Sequence, residues 1–155
     1  MFQQYNLLAR ESALRNVEMP LIYRGIPGAM RRQRAESALR IVGMAERMHH
    51  RPSELSGGQQ QRVAIARSLA GAPAVLLADE PTGALDTKTG EEIMELLRWL
   101  NREHGVTVVM VTHEPEVAAY ARRTLTVRDG ILLGDTESDL GHHQPDRELV
   151  GAARR

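Results

Sequence analysis

Three short stretches of the sequence carry residues that could bind a phosphate group or activate a water molecule. In the first, Ser56 stands at a predicted helix start and precedes Gly57 and Gly58, whose amides no side chain covers. A helix N-terminus with bare amides and a serine hydroxyl is suited to hold an anion. Ser56 and Gln59 also have the types and spacing of a capping box, so an ordinary capped helix is the alternative interpretation.

The second and third stretches follow apolar runs. Asp79 and Glu80 end a run that is typical of a buried parallel strand. Carboxylates at a strand tip can hold Mg²⁺ and orient or deprotonate a water molecule, although they can also simply cap the strand. His113 follows a second apolar run and could contact a phosphate. Parallel strands end at one edge of a sheet, so we expect all three side chains at that edge.

An α/β fold with a parallel sheet and flanking helices is predicted to position these residues. Apolar periodicity, helix caps and turn signals define its elements. They are helices over 16–25 and 30–42, a loop or broken helix over 43–54, a helix from Ser56, a strand over 74–78, a helix over 86–104, a strand over 107–111, a helix over 114–122, and a hairpin of strands 125–127 and 131–133. The first apolar run predicts a strand that is buried on both faces.

The composition of the 155 residues argues against several classes of protein. Lys+Arg and Asp+Glu are both 20 and aromatic residues make up 3%, which disfavours a nucleic-acid partner. The absence of cysteine excludes disulfides and thiolate metal sites. Adjacent His49 and His50 would not face each other on a helix, so we expect surface residues and not metal ligands. The longest apolar runs are too short to span a bilayer, which predicts a cytosolic chain.

Five motifs, in order, resemble those of the ATP-binding subunit of an ABC transporter over about residues 1–133. The motifs are Gln3 as the Q-loop glutamine, Leu55-Ser56-Gly57-Gly58-Gln59 as the signature, Val75-Leu76-Leu77-Ala78-Asp79-Glu80 as the Walker B strand with its catalytic glutamate, Gly83-Ala84-Leu85-Asp86 as the D-loop, and His113 as the switch histidine. The sequence from Leu77 to Asp86 is most similar to that of the family branch whose members drive lipoprotein release, macrolide export and cell-division-associated complexes.

The resemblance implies a partial P-loop NTPase-like fold. Residues 9–70 would form a helical subdomain that carries the signature. Residues 71–133 would form the half of the core from Walker B to the switch histidine, and residues 134–155 a tail.

The resemblance also implies catalytic roles, with ATP and Mg²⁺ as the ligands. Asp79 would bind Mg²⁺ through its water shell, and Gln3 would sense the metal and the water. Glu80 would be the general base for the attacking water, and His113 would contact the γ-phosphate.

Two further sets of residues would contact partner proteins. The γ-phosphate of ATP held by the opposite subunit of a head-to-tail dimer would meet Ser56, Gly57, Gly58 and Gln59. Asp86 would lie at the dimer interface. The helices over 11–45 would dock on a membrane-spanning permease, which would place the chain at the inner face of the cell membrane.

The sequence lacks the phosphate-binding loop of that family, Gly-x-x-x-x-Gly-Lys-Ser/Thr. Its one lysine, Lys88, follows Thr87 instead of a glycine. We therefore expect little ATP binding and no turnover by this chain alone. One explanation is a gene start set inside a longer protein, with a valine codon read as Met1; a truncated remnant is the other.

Two functions other than a transport ATPase are left open by the sequence. The chain could be a non-catalytic module that lends its signature helix to a complete partner. It could also belong to a DNA-repair or chromosome-structuring ATPase, although residues 9–54 contain no sustained heptads of the kind that coiled-coil insertions need.

Overall fold

In the computed structural model, residues 5–137 are described, and the chain divides into two units between Thr112 and His113. The first unit contains helices α1 (Ala13–Tyr23), α2 (Gly28–Ile41), α3 (Gly57–Leu69) and α4 (Thr87–His104), strands β1 (Val75–Asp79) and β2 (Thr107–Val111), and short 3₁₀ turns at Ala45–Arg47 and Pro52–Glu54. The second unit contains α5 (Pro115–Ala118), β3 (Arg123–Arg128) and β4 (Ile131–Glu137).

The predicted parallel strand pair is confirmed. β1 and β2 are parallel neighbours, with Val75 opposite Thr107 and Asp79 opposite Val111. α4 connects them and ends at Gly105, which adopts a φ of 65° in the left-handed region. Asp79 therefore lies at the carboxyl edge of the sheet, where open α/β folds bind their ligands.

The prediction that β1 is buried on both faces is wrong for the part of the chain that the structure describes. Leu76 and Ala78 are 3% and 2% exposed, whereas Leu77, which points to the other face, is 65% exposed. On β2, Val109 and Val111 are 48% and 63% exposed. The alternation arises because successive strand residues point to opposite faces, and the helices of this unit cover only one of them.

The helices of the first unit pack around α3, which contacts α1, α2 and α4. Five side chains at the centre of this packing are completely buried: Val17, Leu21, Leu39, Val63 and Ile65. The apolar face of α3 was predicted from its spacing, and burying it fixes the direction in which the N-terminus of the helix points.

Helix α1 begins earlier than the sequence predicts and contains Pro20 in its interior. Ser12 caps it, because its side chain accepts a hydrogen bond from the amide of Arg15. Proline removes one helical hydrogen bond, but Val17 and Leu21 on the same helix are fully buried, and this burial outweighs the loss.

In the second unit, α5 is shorter than the predicted helix over 114–122. Beyond Ala118 the chain tightens, since Tyr120 and Ala121 donate their amides to carbonyls three residues back. The hairpin of β3 and β4 is confirmed but longer than predicted, with β4 reaching Glu137. Among residues 5–137, no helix has both the length and the apolar character needed to cross a membrane.

Candidate functional site

The start of α3 has the predicted capping box. The Ser56 hydroxyl oxygen accepts a hydrogen bond from the Gln59 amide at 3.3 Å, and the Gln59 side chain accepts one from the Ser56 amide at 3.0 Å. Both residues of the box are thereby held in place, while the Ser56 hydroxyl proton stays available to a further acceptor. Ser56 itself is exposed.

The amides of Gly57 and Gly58 make no hydrogen bond to any residue within 5–137. They lie in the first turn of α3, where the helix dipole also favours a negative charge. The exposed Ser56 hydroxyl and these two donors are therefore able to bind an anion such as a phosphate oxygen.

Gly57 and Gly58 also pack closely against neighbouring side chains, which leaves no room for a side chain of their own. A Cβ atom on Gly58 would clash with Cγ2 of Thr89, and one on Gly57 would lie 2.9 Å from the Tyr5 hydroxyl. Thr89 is in the first turn of α4, so the N-termini of α3 and α4 approach closely. The glycines thus permit this approach, and neither carries a side chain that could cover its own amide.

Asp86 caps the second of these helices. Its side chain accepts a hydrogen bond from the Thr89 amide at 3.1 Å, and it is exposed. Hydrogen bonds from the Thr89 side chain and amide hold the pKa of Asp86 below its usual value. The carboxylate is therefore charged at neutral pH and stabilises α4 through its dipole.

The two carboxylates at the tip of β1 have different surroundings. Asp79 is exposed, whereas Glu80 is half-buried and adopts a φ of 44°, in the left-handed region that non-glycine residues rarely occupy. Such a conformation costs about 1–3 kcal/mol and recurs at functional sites. The Glu80 amide donates to the carbonyl of Val111 at 2.9 Å, which holds the strained residue against β2.

Thr112 is a site residue that the motif reading missed. Its hydroxyl donates a hydrogen bond to Oε2 of Glu80 at 3.2 Å. The register of β1 and β2 could have revealed it, because Asp79 pairs with Val111 and the next residues along the two strands are Glu80 and Thr112. The hydroxyl orients the Glu80 carboxylate, as a general base requires.

The roles predicted for the remaining motif residues stay predictions. His113 is the first residue of the second unit and directly follows Thr112. Gln3 lies outside the described residues. What the structure does bring together is the pair Glu80 and Thr112 at the strand edge, and the pair Gly58 and Thr89 at the helix starts.

The donors at the strand tip fit a magnesium ion that is shared with a phosphate. Within residues 5–137, no group of three or more histidine, cysteine, aspartate or glutamate side chains could enclose a metal. Mg²⁺ needs no such cage, because it is usually held by one or two carboxylates together with waters and substrate phosphates. Asp79, exposed at the carboxyl edge of the sheet, can supply one such ligand.

The chain matches the ABC transporter family over residues 1–83 of its 155. It is 59% identical over 132 residues to the uncharacterised ABC transporter ATP-binding protein YknY of Bacillus subtilis, and the match covers 85% of this chain and 57% of that protein. It is 55% identical over 134 residues to the macrolide export ATP-binding/permease protein MacB of an Azoarcus strain, covering 86% of this chain and 20% of that protein.

A solved structure shows the same fold. It is the dimeric structure of a post-hydrolysis state of the ATP-binding cassette MJ0796 bound to ADP and Pi, with 48% identity and a TM-score of 0.73. The match covers 88% of this chain and 61% of that one, so the chain spans little more than half the length of a cassette. These matches confirm the predicted α/β cassette fold. The chain belongs to the family of ABC transporter ATP-binding proteins.

Proposed function

We propose that the chain forms part of the ATP-binding subunit of an ABC transporter and serves the hydrolysis of ATP that powers transport across a membrane. The observation that carries this proposal is the start of α3, where an exposed serine hydroxyl and two unpaired amides make an anion site. The family match and the carboxylates at the tip of β1 support it.

In this proposal the residues at the strand tip serve the cassette's own nucleotide. Asp79 holds Mg²⁺ with Gln3, and the ion neutralises charge on the phosphate oxygens when it is bound. Glu80 takes the proton of the attacking water, because its carboxylate is oriented by Thr112. His113 contacts the γ-phosphate.

The start of α3 serves the other nucleotide of a head-to-tail dimer. A γ-phosphate held by the opposite subunit would meet Ser56, Gly57, Gly58 and Gln59. Asp86 would lie in the same interface, since it caps the helix whose first turn touches Gly58. The dimeric cassette with 48% identity supports this assembly.

A membrane-spanning permease is the second proposed partner, which would hold the chain at the cytoplasmic face of the membrane. The support is an exposed apolar group near the junction of α1 and α2, within the predicted docking region 11–45. Tyr23 is 84% exposed, and Ile22 and Met30 are 43% and 47% exposed. The fusion of ATP-binding and permease parts in the MacB relative is consistent with this contact.

A second candidate function is a non-catalytic module that lends its signature helix to a complete cassette. The observation in its favour is that the exposed Ser56 hydroxyl and the amides of Gly57 and Gly58, which are unpaired within residues 5–137, lie together at one helix start, where they could meet a phosphate without any contribution from Glu80. Both functions require the start of α3 to meet ATP bound elsewhere. They differ in whether Glu80 takes part in hydrolysis.

ATP-dependent association with a complete cassette tests the shared requirement. The partner is the Bacillus subtilis relative in which the residue matched to Glu80 is replaced by glutamine, so that bound ATP persists. In sedimentation velocity, we expect a mixed dimer with ATP and none with ADP. Ser56→Arg in this chain is expected to weaken the association at least tenfold, because the longer cationic side chain blocks the phosphate position.

A matched control is available at Ser12. It caps α1 with the same geometry as Ser56, since the side chain of each accepts the third amide of its helix at 3.3 Å. Ser12→Arg therefore removes a comparable cap, worth about 1 kcal/mol, without touching the proposed phosphate site. Equal association of both variants with the partner would contradict the proposal.

A further inference from the structure

We propose that Gln61 is the positioning residue for Glu80. The Gln61 side chain lies in the middle of α3, and its Nε2 donates a hydrogen bond to the carbonyl of Pro81 at 2.8 Å. Pro81 directly follows Glu80, so this bond fixes the turn on which the carboxylate stands. The inference rests on the proposed function, in which Glu80 is the general base.

Because Gln61 and Pro81 are both buried, water cannot replace the hydrogen bond between them. Gln61 is 3% exposed, and Pro81 is also buried. A buried carbonyl without a donor is costly, and Pro81 offers no amide of its own through which the turn could be held. Gln61 supplies the missing donor from 20 residues away in the chain.

Two elements thereby hold the strained residue from opposite ends. On one side, the Glu80 amide donates to the carbonyl of Val111 on β2 at 2.9 Å. On the other side, α3 holds the next carbonyl through Gln61. A residue with a φ of 44° keeps that conformation only when its surroundings over-determine it. These two bonds contribute to that constraint together with the bond within the turn, from the Gly83 amide to the Glu80 carbonyl at 3.3 Å.

The placement of Gln61 also connects two parts of the proposed mechanism. Ser56, proposed to meet the γ-phosphate of the opposite site, lies five residues earlier, at the cap of the same helix. A shift of α3 that repositions Ser56 would therefore also displace the turn that carries Glu80. The hydrogen bond from the Gln61 side chain to the Pro81 carbonyl would transmit this displacement.

The test is amide hydrogen exchange of the intact chain, followed by NMR. In Gln61→Met, which keeps a similar volume but has no donor, we expect exchange of the Glu80 amide to rise about tenfold or more relative to that of the Leu76 amide in β1. The ¹³C resonance of the Glu80 carboxyl is expected to shift. Equal acceleration of both amides would mean general destabilisation and would overturn the proposal.

Gln60→Met is the matched control. Gln60 neighbours Gln61 on α3, and its Nε2 also donates to a backbone carbonyl, that of Leu55 at 3.1 Å. This variant loses a similar bond at a place that does not touch the turn. We expect the exchange ratio between Glu80 and Leu76 to stay within threefold of the wild type, and a Gln61-like effect would overturn the proposal.

Gln61→Glu allows protection of the Glu80 amide to be measured against pH. General destabilisation by the substitution would not confine a pH dependence to this one amide. The neutral carboxyl can donate its proton to the Pro81 carbonyl, whereas the ionised carboxylate cannot. Protection of the Glu80 amide should therefore match the wild type at low pH and fall as the introduced carboxyl ionises. Protection that is independent of pH would contradict the proposal. This measurement needs no nucleotide, so its failure is distinguishable from failure of the ATP-dependent association.

Discussion

At the scale of single residues, the site depends on groups whose roles are set by close neighbours. The Ser56 hydroxyl can still donate its proton to a ligand, because its oxygen acts as the acceptor for the Gln59 amide. The Glu80 carboxylate is oriented by the hydrogen bond that the Thr112 hydroxyl donates to it. The capping box at Ser56 could be predicted from sequence because it involves residues three apart. The bond from Thr112 could not, since it spans 32 residues and depends on strand register.

Gly58 gives a residue-scale prediction that is independent of any ligand. Gly58→Ala places a Cβ in steric conflict with Cγ2 of Thr89, so either Thr89 leaves its rotamer or the starts of α3 and α4 move apart. We expect destabilisation of about 1–3 kcal/mol in urea unfolding. The fluorescence of Trp99 measures it, because this is the one tryptophan of the chain and lies on α4.

Gly90→Ala is the corresponding control in α4. A Cβ there would lie 3.4 Å from Thr82 Cγ2, which is ordinary contact, and alanine is the better helix former by up to about 1 kcal/mol. This variant should be neutral or more stable. Equal losses at Gly58 and Gly90 would show that the approach of α3 to α4 is not what requires a glycine at position 58.

At the scale of elements, α3 organises the first unit. It packs against three other helices, presents Ser56 at its start and holds two chain segments through its side chains. Gln61 binds the carbonyl of Pro81, and Arg67 donates to the carbonyls of Tyr5 and Asn6 at 3.1 and 2.7 Å. The burial that these contacts require lowers the pKa of Arg67.

The extent of several elements could be predicted, and the errors have physical causes. The strand over 107–111 is as predicted, and the helix predicted over 86–104 is α4 with Asp86 as its N-cap, because both elements depend on local pattern. Helix α1 starts earlier than predicted because Ser12 caps it and its first residues, Ala13 and Leu14, are buried. The prediction that β1 is buried on both faces was wrong, because an apolar run indicates a tendency to be buried and does not show what covers each face.

The two faces of β1 give an element-scale prediction. Leu76→Ala should destabilise the first unit by about 2–5 kcal/mol, because Leu76 is 3% exposed and its removal leaves a cavity. Leu77→Ala should change stability by less than about 0.5 kcal/mol, because Leu77 is 65% exposed. Urea unfolding followed by Trp99 fluorescence compares the two, and similar losses would contradict the assignment of faces.

At the scale of the whole molecule, the family and the cassette fold were predictable because five motifs occur in a fixed order. The match over residues 1–83 and the 48% identical cassette confirm that prediction. The structure of one chain does not test the predicted contacts with ATP across a dimer, because half of each such site would belong to another subunit. Those contacts define the central claim about function.

Complementation of ATP hydrolysis tests the central claim most directly. The partner is the Bacillus subtilis relative in which the residue matched to Ser56 is replaced by arginine, so that its own signature cannot serve the opposite site. Adding this chain is expected to raise ATP hydrolysis at least tenfold over that of the partner alone, and adding its Ser56→Arg variant should not. Equal stimulation by wild type and variant, or none by either, would contradict the account that the start of α3 meets ATP held by another subunit.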